Sequence, residues 1–350
     1  MAYKVIQWAT GSMGKTILRG VIDHPDLELV GLFVYNPNKV GKDAGEIVRK
    51  NNTGVLATDD IDEILALDAD VVIHSPMLQP PYSHHNEDIC RLLASGKNVI
   101  SINGHSYPQY WGSETMQPIA DSCERGQSTL FGSGLNPGFI AEKIALVATG
   151  VCTSIDSVLV SEVVETNVMQ SPDYVFGMLG FGSEPGKFDP NDPEWTPAQL
   201  MNGMYSEVVA HFANRMGMKL DRVETEHVML PATTDIETNA GLIKQGTVGH
   251  TNWRWHGVVN GARTITHSIH WIMEKAHLEN PEYDLWEVQI RGCPGVDIRM
   301  NLLDPENHQF KTTPEQYGVA GSIINAIAAV AEASPGILEM PSYDHFRLRF

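Results

Sequence analysis

No run in this sequence reaches the roughly 18 unbroken apolar residues of a membrane-spanning helix, so no membrane segment is expected. The opening "MAYKVIQWA" lacks a basic stretch followed by an apolar core, and no secretory signal is read there. Cysteine is scarce. Cys90, Cys123, Cys152 and Cys293 stand far apart without a C-x-x-C pair, which leaves no basis for a zinc knuckle or a dithiol redox centre. Free thiols and a cytoplasmic location are the expectation. Positive charge is scarce as well: 24 Lys and Arg face 43 Asp and Glu, a formal net charge of -19. That balance argues against nucleic acid or an anionic membrane as a partner. It leaves room for a phosphate group, which needs only local backbone N–H donors. Repeats and low-complexity tracts are absent. With 42% hydrophobic and 19% charged residues, the 350-residue chain has a globular composition and length enough for two domains.

What is present begins with "VIQWATGSMGKTILRGVI", Val5 to Ile22. An apolar run ends in a small-residue turn, Ala9-Thr10-Gly11-Ser12-Met13-Gly14, and an amphipathic pattern follows. Strand, turn and helix in that order form a pyrophosphate site when Gly11 admits the phosphate and Gly14 lets the helix pack closely on the strand. Ala9 stands where the first glycine of G-x-G-x-x-G belongs, which is tolerable if its backbone is not left-handed. The next strand ends near Tyr35, about 20 residues after Gly14, as a dinucleotide-binding βαβ unit requires. At that strand end the usual ribose-binding acid is missing. Tyr35 or Asn36 occupies its place, no carboxylate follows until Asp43, and Lys39 and Lys42 lie close by. They read either as partners for a 2′-phosphate or as ordinary solvated lysines. The missing acid removes a charge that would repel the phosphate, so NADP is expected over NAD.

Strand and helix patterns alternate through the first 135 residues, with strands at 4–9, 29–35, 54–57, 70–75, 98–102 and 128–132 and helices at 15–23, 83–95 and 114–125. This predicts an α/β Rossmann domain, a doubly wound parallel sheet that binds ligands at the carboxyl ends of its strands. Two such ends carry chemistry: His74, Ser75 and Pro76 after the fourth strand, and Asn103, Gly104, His105 and Tyr107 after the fifth. His74 and His105 read either as site residues or as structural histidines, while His84 and His85 read as helix residues. Asn136, a further candidate for cofactor contact, then caps a helix that Pro137 opens. Beyond it, strand-like runs dominate around one helix at 197–216, which predicts a second, α+β domain with a mixed or antiparallel sheet. Tyr174, Phe176, Trp253 and Trp255 are candidates for a pocket lining there, with core or interface as the alternative. The loop 183–195 reads either as a lid or as a plain surface excursion. His250, His256, His267 and His270 have no metal-type spacing with a carboxylate, and no metal is expected. Near the C-terminus Thr313 caps and Pro314 opens an apolar-faced helix. The expected division is therefore 1–137 completed by 313–350, with 138–312 between them and a ligand cleft at their junction.

The stretches "VIQWATGSMGKTIL", "YNPNKVGKDAGE", "VVIHSP", "GKNVISINGHSYP", "FGSGLNPGF" and "INAIAAVAEASPGI" resemble the dihydrodipicolinate-reductase-like oxidoreductases. The nearer branch is that of 2,4-diaminopentanoate dehydrogenase and the native amine dehydrogenases. The resemblance spans nearly the whole chain. It implies a hydride passed between a nicotinamide and a C=N carbon of a small substrate, and a homo-oligomer, at least a dimer, formed through the second domain. True dihydrodipicolinate reductases carry a histidine-pair and lysine signature leading to P-S-G-T, which is absent here. The amine dehydrogenase branch places a glutamate just before the Tyr-Pro pair that follows the fifth strand. Here Asn103-Gly104-His105-Ser106 precedes Tyr107-Pro108 without one. A carbonyl substrate, or a nucleotide-binding sensor without catalysis, is the alternative. If the chain is a catalyst, His105 is the expected general acid, with Tyr107 orienting it or the substrate.

Overall fold

The computed structural model describes residues 2–306, 310–339 and 344–349. Strands β1 (Tyr3–Trp8), β2 (Leu27–Phe33), β3 (Ala57–Thr58), β4 (Val71–His74), β5 (Asn98–Ser101) and β6 (Thr129–Gly132) alternate with helices α1 (Ser12–Asp23), α2 (Ala44–Val48), α3 (Ile61–Ala66), α4 (Asn86–Ala94) and α5 (Ser113–Gly126). The strands are short apolar runs because both faces of the sheet are covered. Their side chains alternate accordingly. Val5, Ile73 and Ile100 pack with Ile17 and Val21 in one layer. Ile6, Trp8, Val72 and Val99 pack with Ile89, Leu92 and Ile119 in the other.

The chain then runs through β7 (Ser154–Glu165), helix α6 (Thr196–Arg215), β8 (Arg222–Pro231), β9 (Ile236–Thr238) and β10 (Gly241–Ile243), which pair with each other alone, and β11 (Val248–Val259), β12 (Ala262–Ile272), β13 (Trp286–Cys293) and β14 (Val296–Met300), which with β7 and β8 form a second large sheet. Its six-stranded order is β14-β13-β7-β12-β11-β8. Only β7 and β12 pair in parallel, so the sheet is mixed. A turn separates β10 from β11.

The C-terminal part comprises α7 (Pro314–Ile324), α8 (Ile327–Ala331) and β15 (Gly336–Ile337). Thr313 caps α7 through a capping box with Gln316. Ile323, Ile327 and Val330 enter the same apolar layer as Val5 and Ile100. β15 pairs in parallel with β6 and completes a seven-stranded order β15-β6-β5-β4-β1-β2-β3. The order reverses between β1 and β4, the switch point of a doubly wound sheet.

The contacts define two compact units, Met1–Phe139 with Leu302–Pro341, and Ile140–Asn301 with Ser342–Phe350. Two boundaries differ from the expectation. The return begins before residue 313, and the chain's end belongs with the second unit. There Phe346 donates its backbone N–H to Thr149, and Leu348 to the Met216 carbonyl 2.8 Å away. Asn136 is not a helix cap either. Asn136, Pro137 and Gly138 all have non-helical backbone angles, and the helix forms only after them.

Candidate cofactor and active site

The turn between β1 and α1 is built as an anion cradle. Gly11 precedes a 12-residue helix that has no side-chain cap and no acidic residue in its first turn. Its backbone N–H groups and macrodipole are therefore available to a phosphate. A Cβ at Gly11 would meet nothing within 4 Å, so the space in front of the helix is open. A Cβ at Gly14 would instead lie 2.3 Å from the Ala9 carbonyl oxygen and 2.8 Å from Ser75 Oγ. Only glycine lets helix and strand approach this closely. Ala9 takes φ of 74°, the left-handed region that the sequence reading required it to avoid. A local strain of about 1 kcal/mol is thus built in. Gln7 secures the turn. Its Nε2 donates to Ser75 Oγ at 2.7 Å and to the Ala9 carbonyl at 3.0 Å. Gln316 also reaches the cradle, donating to Ser12 Oγ at 2.6 Å.

At the end of β2, Lys39 folds back onto the turn and donates to Thr10 Oγ1 and to the Thr10 carbonyl. Burial, with Lys15 nearby, lowers the Lys39 ammonium below its ordinary pKa. Tyr35 stands half exposed, its hydroxyl accepting from Trp8 Nε1 at 2.9 Å. Asn36 is exposed, and its side chain accepts from the Asn38 N–H, capping the Pro37–Lys39 turn. Asp43 is committed elsewhere. Burial alone would raise its pKa, but N–H groups of Thr53, Gly45 and Gly54 hold the carboxyl below the ordinary value. No carboxylate from this loop is free to take a ribose.

The carboxyl ends of β4 and β5 bring three imidazoles together. His74 is fully buried, and neither ring nitrogen has a hydrogen-bond partner. His85 lies against it with ring centroids 5.4 Å apart and bonds the Met77 carbonyl. His105, with φ of 66°, holds Ser101 Oγ through Nδ1 and Asn86 Oδ1 through Nε2 at 2.8 Å. Tyr82 stacks on it. Burial, then the other imidazoles, pushes His105 down to about 4 and His74 well below its usual value. Burial lowers His85 too. This counts against His105 as the general acid expected from the sequence. At pH 7 it is a neutral ring with both nitrogens engaged.

Other expected site residues are absorbed by the scaffold. Ser75 donates its hydroxyl hydrogen to the Trp8 carbonyl and accepts from Gln7. The Pro76 carbonyl accepts from Asn103 Nδ2 at 2.9 Å, so Asn103 ties the two strand-end loops together. Tyr107 is half-buried, and burial together with Glu339 raises its pKa. Gln7, Tyr82, Asn86 and Gln316 escaped the sequence reading. Gln7 alone left a trace, as a polar residue inside an apolar run.

In the second unit Trp253 and Trp255 are core residues, stacked with centroids 5.6 Å apart. Tyr174 remains accessible. In the loop 183–195, Phe188 stacks on Trp195 and Trp195 on the core residue Trp253. Among the described residues no group of three or more His, Cys, Asp or Glu is placed to hold a metal ion, and no helix is long and apolar enough to cross a membrane.

A doubly wound sheet with an uncapped, open helix N-terminus at its first turn suits a dinucleotide, and the comparisons agree. Residues 5–84 match the family model described as dihydrodipicolinate reductase, N-terminus. An amine dehydrogenase of Streptomyces virginiae is 28% identical over 95% of this chain and 94% of its own. A 2,4-diaminopentanoate dehydrogenase of Acetoanaerobium sticklandii is 24% identical over 96% and 92%. The solved amine dehydrogenase of Mycobacterium smegmatis shares the fold with a TM-score of 0.77, at 18% identity, over 100% of this chain and 99% of that one. The chain is an NAD(P)-dependent dehydrogenase. Within that class it is similar to the dihydrodipicolinate-reductase-like oxidoreductases of the amine dehydrogenase and 2,4-diaminopentanoate dehydrogenase branch, as its motifs indicate.

Proposed function

We propose that the chain prefers NADP(H) and works on a C=N bond, interconverting a small imine and its amine. When bound, the nicotinamide would supply or accept the hydride. The cradle of Gly11, Ser12, Met13 and Gly14 would hold the pyrophosphate, with Lys39 toward the 2′ position. One observation carries the preference for C=N over C=O. The three imidazoles at the strand ends are held neutral at pH 7. A ketone needs a proton as the hydride arrives. A protonated imine brings its own: hydride addition to C=NH2⁺ gives the neutral amine with no further proton. His105 and Asn103 then act as positioning residues that fix the strand-end loops. The chain would work in the cytoplasm as a homo-oligomer formed through the second unit. Half-buried Leu159, Val163, Val228 and Leu230 share a face of its sheet with His250, Asn252 and His270, a mixed surface that a second copy could cover.

The test is a panel of ketones with purified protein and NADPH, with and without ammonia. Consumption of NADPH only with ammonia is expected. Equal consumption without ammonia would assign carbonyl reduction instead. Tight NADPH binding with no turnover on any ketone would favour a sensor.

A further inference from the structure

Helices α1 and α7 lie side by side in the first unit. A Cβ at Gly20 of α1 would stand 2.4 Å from Ile324 Cδ1 of α7. Two turns nearer the N-terminus of each helix, Ser12 meets Gln316. Both contacts join residues 304 apart in the chain, so the helices run parallel. Ala320 and Ile323 share an apolar layer with Ile17 and Val21, which holds the pair together. The N-terminus of α7 therefore lies beside that of α1, at the carboxyl end of the sheet where the phosphate cradle is.

The Gln316 amide is fixed in orientation. Its Oε1 accepts from the Thr313 N–H at 3.1 Å, while the Thr313 hydroxyl accepts from the Gln316 N–H. This is the capping box of α7. Exchanging the two ends of the amide would set its NH2 against the Thr313 N–H, donor against donor. Nε2 therefore faces α1 and donates to Ser12 Oγ at 2.6 Å. That bond decides what the Ser12 hydroxyl can do. A hydroxyl has one hydrogen to give and two acceptor positions. With one acceptor position held by Gln316, the hydrogen points away from α7, and no described residue accepts it. Ser12 is exposed, and it opens the helix in front of which the space at Gly11 is free.

We propose that Gln316 is a positioning residue for the cofactor. By occupying one side of Ser12 Oγ, it turns the hydroxyl into a donor aimed at the pyrophosphate of the dinucleotide. A serine in the first turn of a helix otherwise spends its hydroxyl on nearby backbone groups. Orienting it in advance removes an ordering cost from binding. The returning C-terminal segment thus takes part in holding the cofactor through one chain of groups, from the Thr313 N–H through Gln316 to Ser12. This rests on the dinucleotide reading of the cradle and is independent of the choice between NADP and NAD, since both carry the pyrophosphate.

The test is binding. NADPH and NADH are each titrated into the full chain with tryptophan fluorescence as readout. Gln316→Glu keeps the capping box, because a carboxylate still accepts from Thr313, so the urea midpoint should hold. It accepts from Ser12 instead of donating, draws the hydroxyl hydrogen inward, and sets a negative charge near the phosphates. Both cofactors should then bind at least about tenfold more weakly. Ser12→Ala should weaken both by roughly tenfold. Gln316→Ala should weaken both by about threefold or more, yet add little once Ser12 is alanine. This cycle separates orientation of the hydroxyl from plain repulsion. Unchanged affinity in Gln316→Glu would overturn the proposal. Losses from Ser12→Ala and Gln316→Ala that multiply in the double variant would overturn it too, since Gln316 would then not act through Ser12. A loss confined to NADPH would do the same by pointing to the 2′ position. A wild-type chain that binds neither cofactor would remove the dinucleotide reading itself.

Discussion

Lys39 lies with its ammonium 2.8 Å from Thr10 Oγ1 and 3.1 Å from the Thr10 carbonyl oxygen, so the loop after β2 grips the turn that opens α1. Two of its three N–H donors are spent on the turn, and the third remains for a ligand. Lys39→Glu should raise the NADPH dissociation constant by on the order of tenfold, about 1.4 kcal/mol, and change NADH far less. Fluorescence titration of both cofactors checks this. Equal losses would mean that Lys39 only holds the turn.

The glycine pattern makes opposite predictions at its two ends. Gly14→Ala forces a Cβ against the Ala9 carbonyl and Ser75, and should cost about 1–3 kcal/mol of stability with weaker NADPH binding. Ala9→Gly relieves the left-handed strain but frees the unfolded chain, so its change should lie within about 1 kcal/mol and not be strongly destabilising. Urea denaturation of both variants measures the pair. A stable Gly14→Ala protein would contradict the close approach.

Stability should fall with acid. His105, His250 and His270 are pushed down to about 4, and His227 and His267 to about 3, chiefly by burial. Each folded pKa lies below the unfolded value near 6.5, so the unfolded chain binds protons first as pH drops. Their contribution is complete above about pH 6.5 and is lost as pH falls toward 4 and 3. A single such group accounts for about 3 to 5 kcal/mol at most. Urea midpoints at pH 7.5, 5.5 and 4.5 should decline stepwise, and His105→Gln should flatten the slope.

His105→Asn separates positioning from acid catalysis. The shorter side chain cannot bridge Ser101 and Asn86, so kcat should fall by roughly tenfold or more while NADPH affinity stays within about twofold. The diagnostic is the pH profile. The wild-type kcat should show no limb near pH 6–7 arising from His105. A limb there that vanishes in the variant would restore His105 as the acid.

Light scattering tests assembly. A particle of at least twice 38.6 kDa is expected. Leu230→Asp, on the mixed face of the second sheet, should shift it toward the monomer. A wild-type monomer at tens of micromolar would remove the proposal.

The sequence by itself determined the local and periodic features. The buried apolar runs of β1, β4 and β5, the glycine-bearing turn, the cap at Thr313 and the alternating segments of the second sheet all follow from chemistry within a few residues, which is why they were legible. Boundaries drifted where local signals were weak, as at the short β3 and at Asn136, whose cap chemistry the backbone did not use. Tertiary structure decided the rest. Ser75 looked like a ligand contact until Gln7, on a neighbouring strand, claimed its hydroxyl. His105 looked titratable until burial beside His74 and His85 removed the water that would stabilise its charge. Gln316 joined Ser12 across more than three hundred residues. Hydrogen-bond partners and desolvation belong to neighbours in space, and a linear pattern carries no record of which groups those will be.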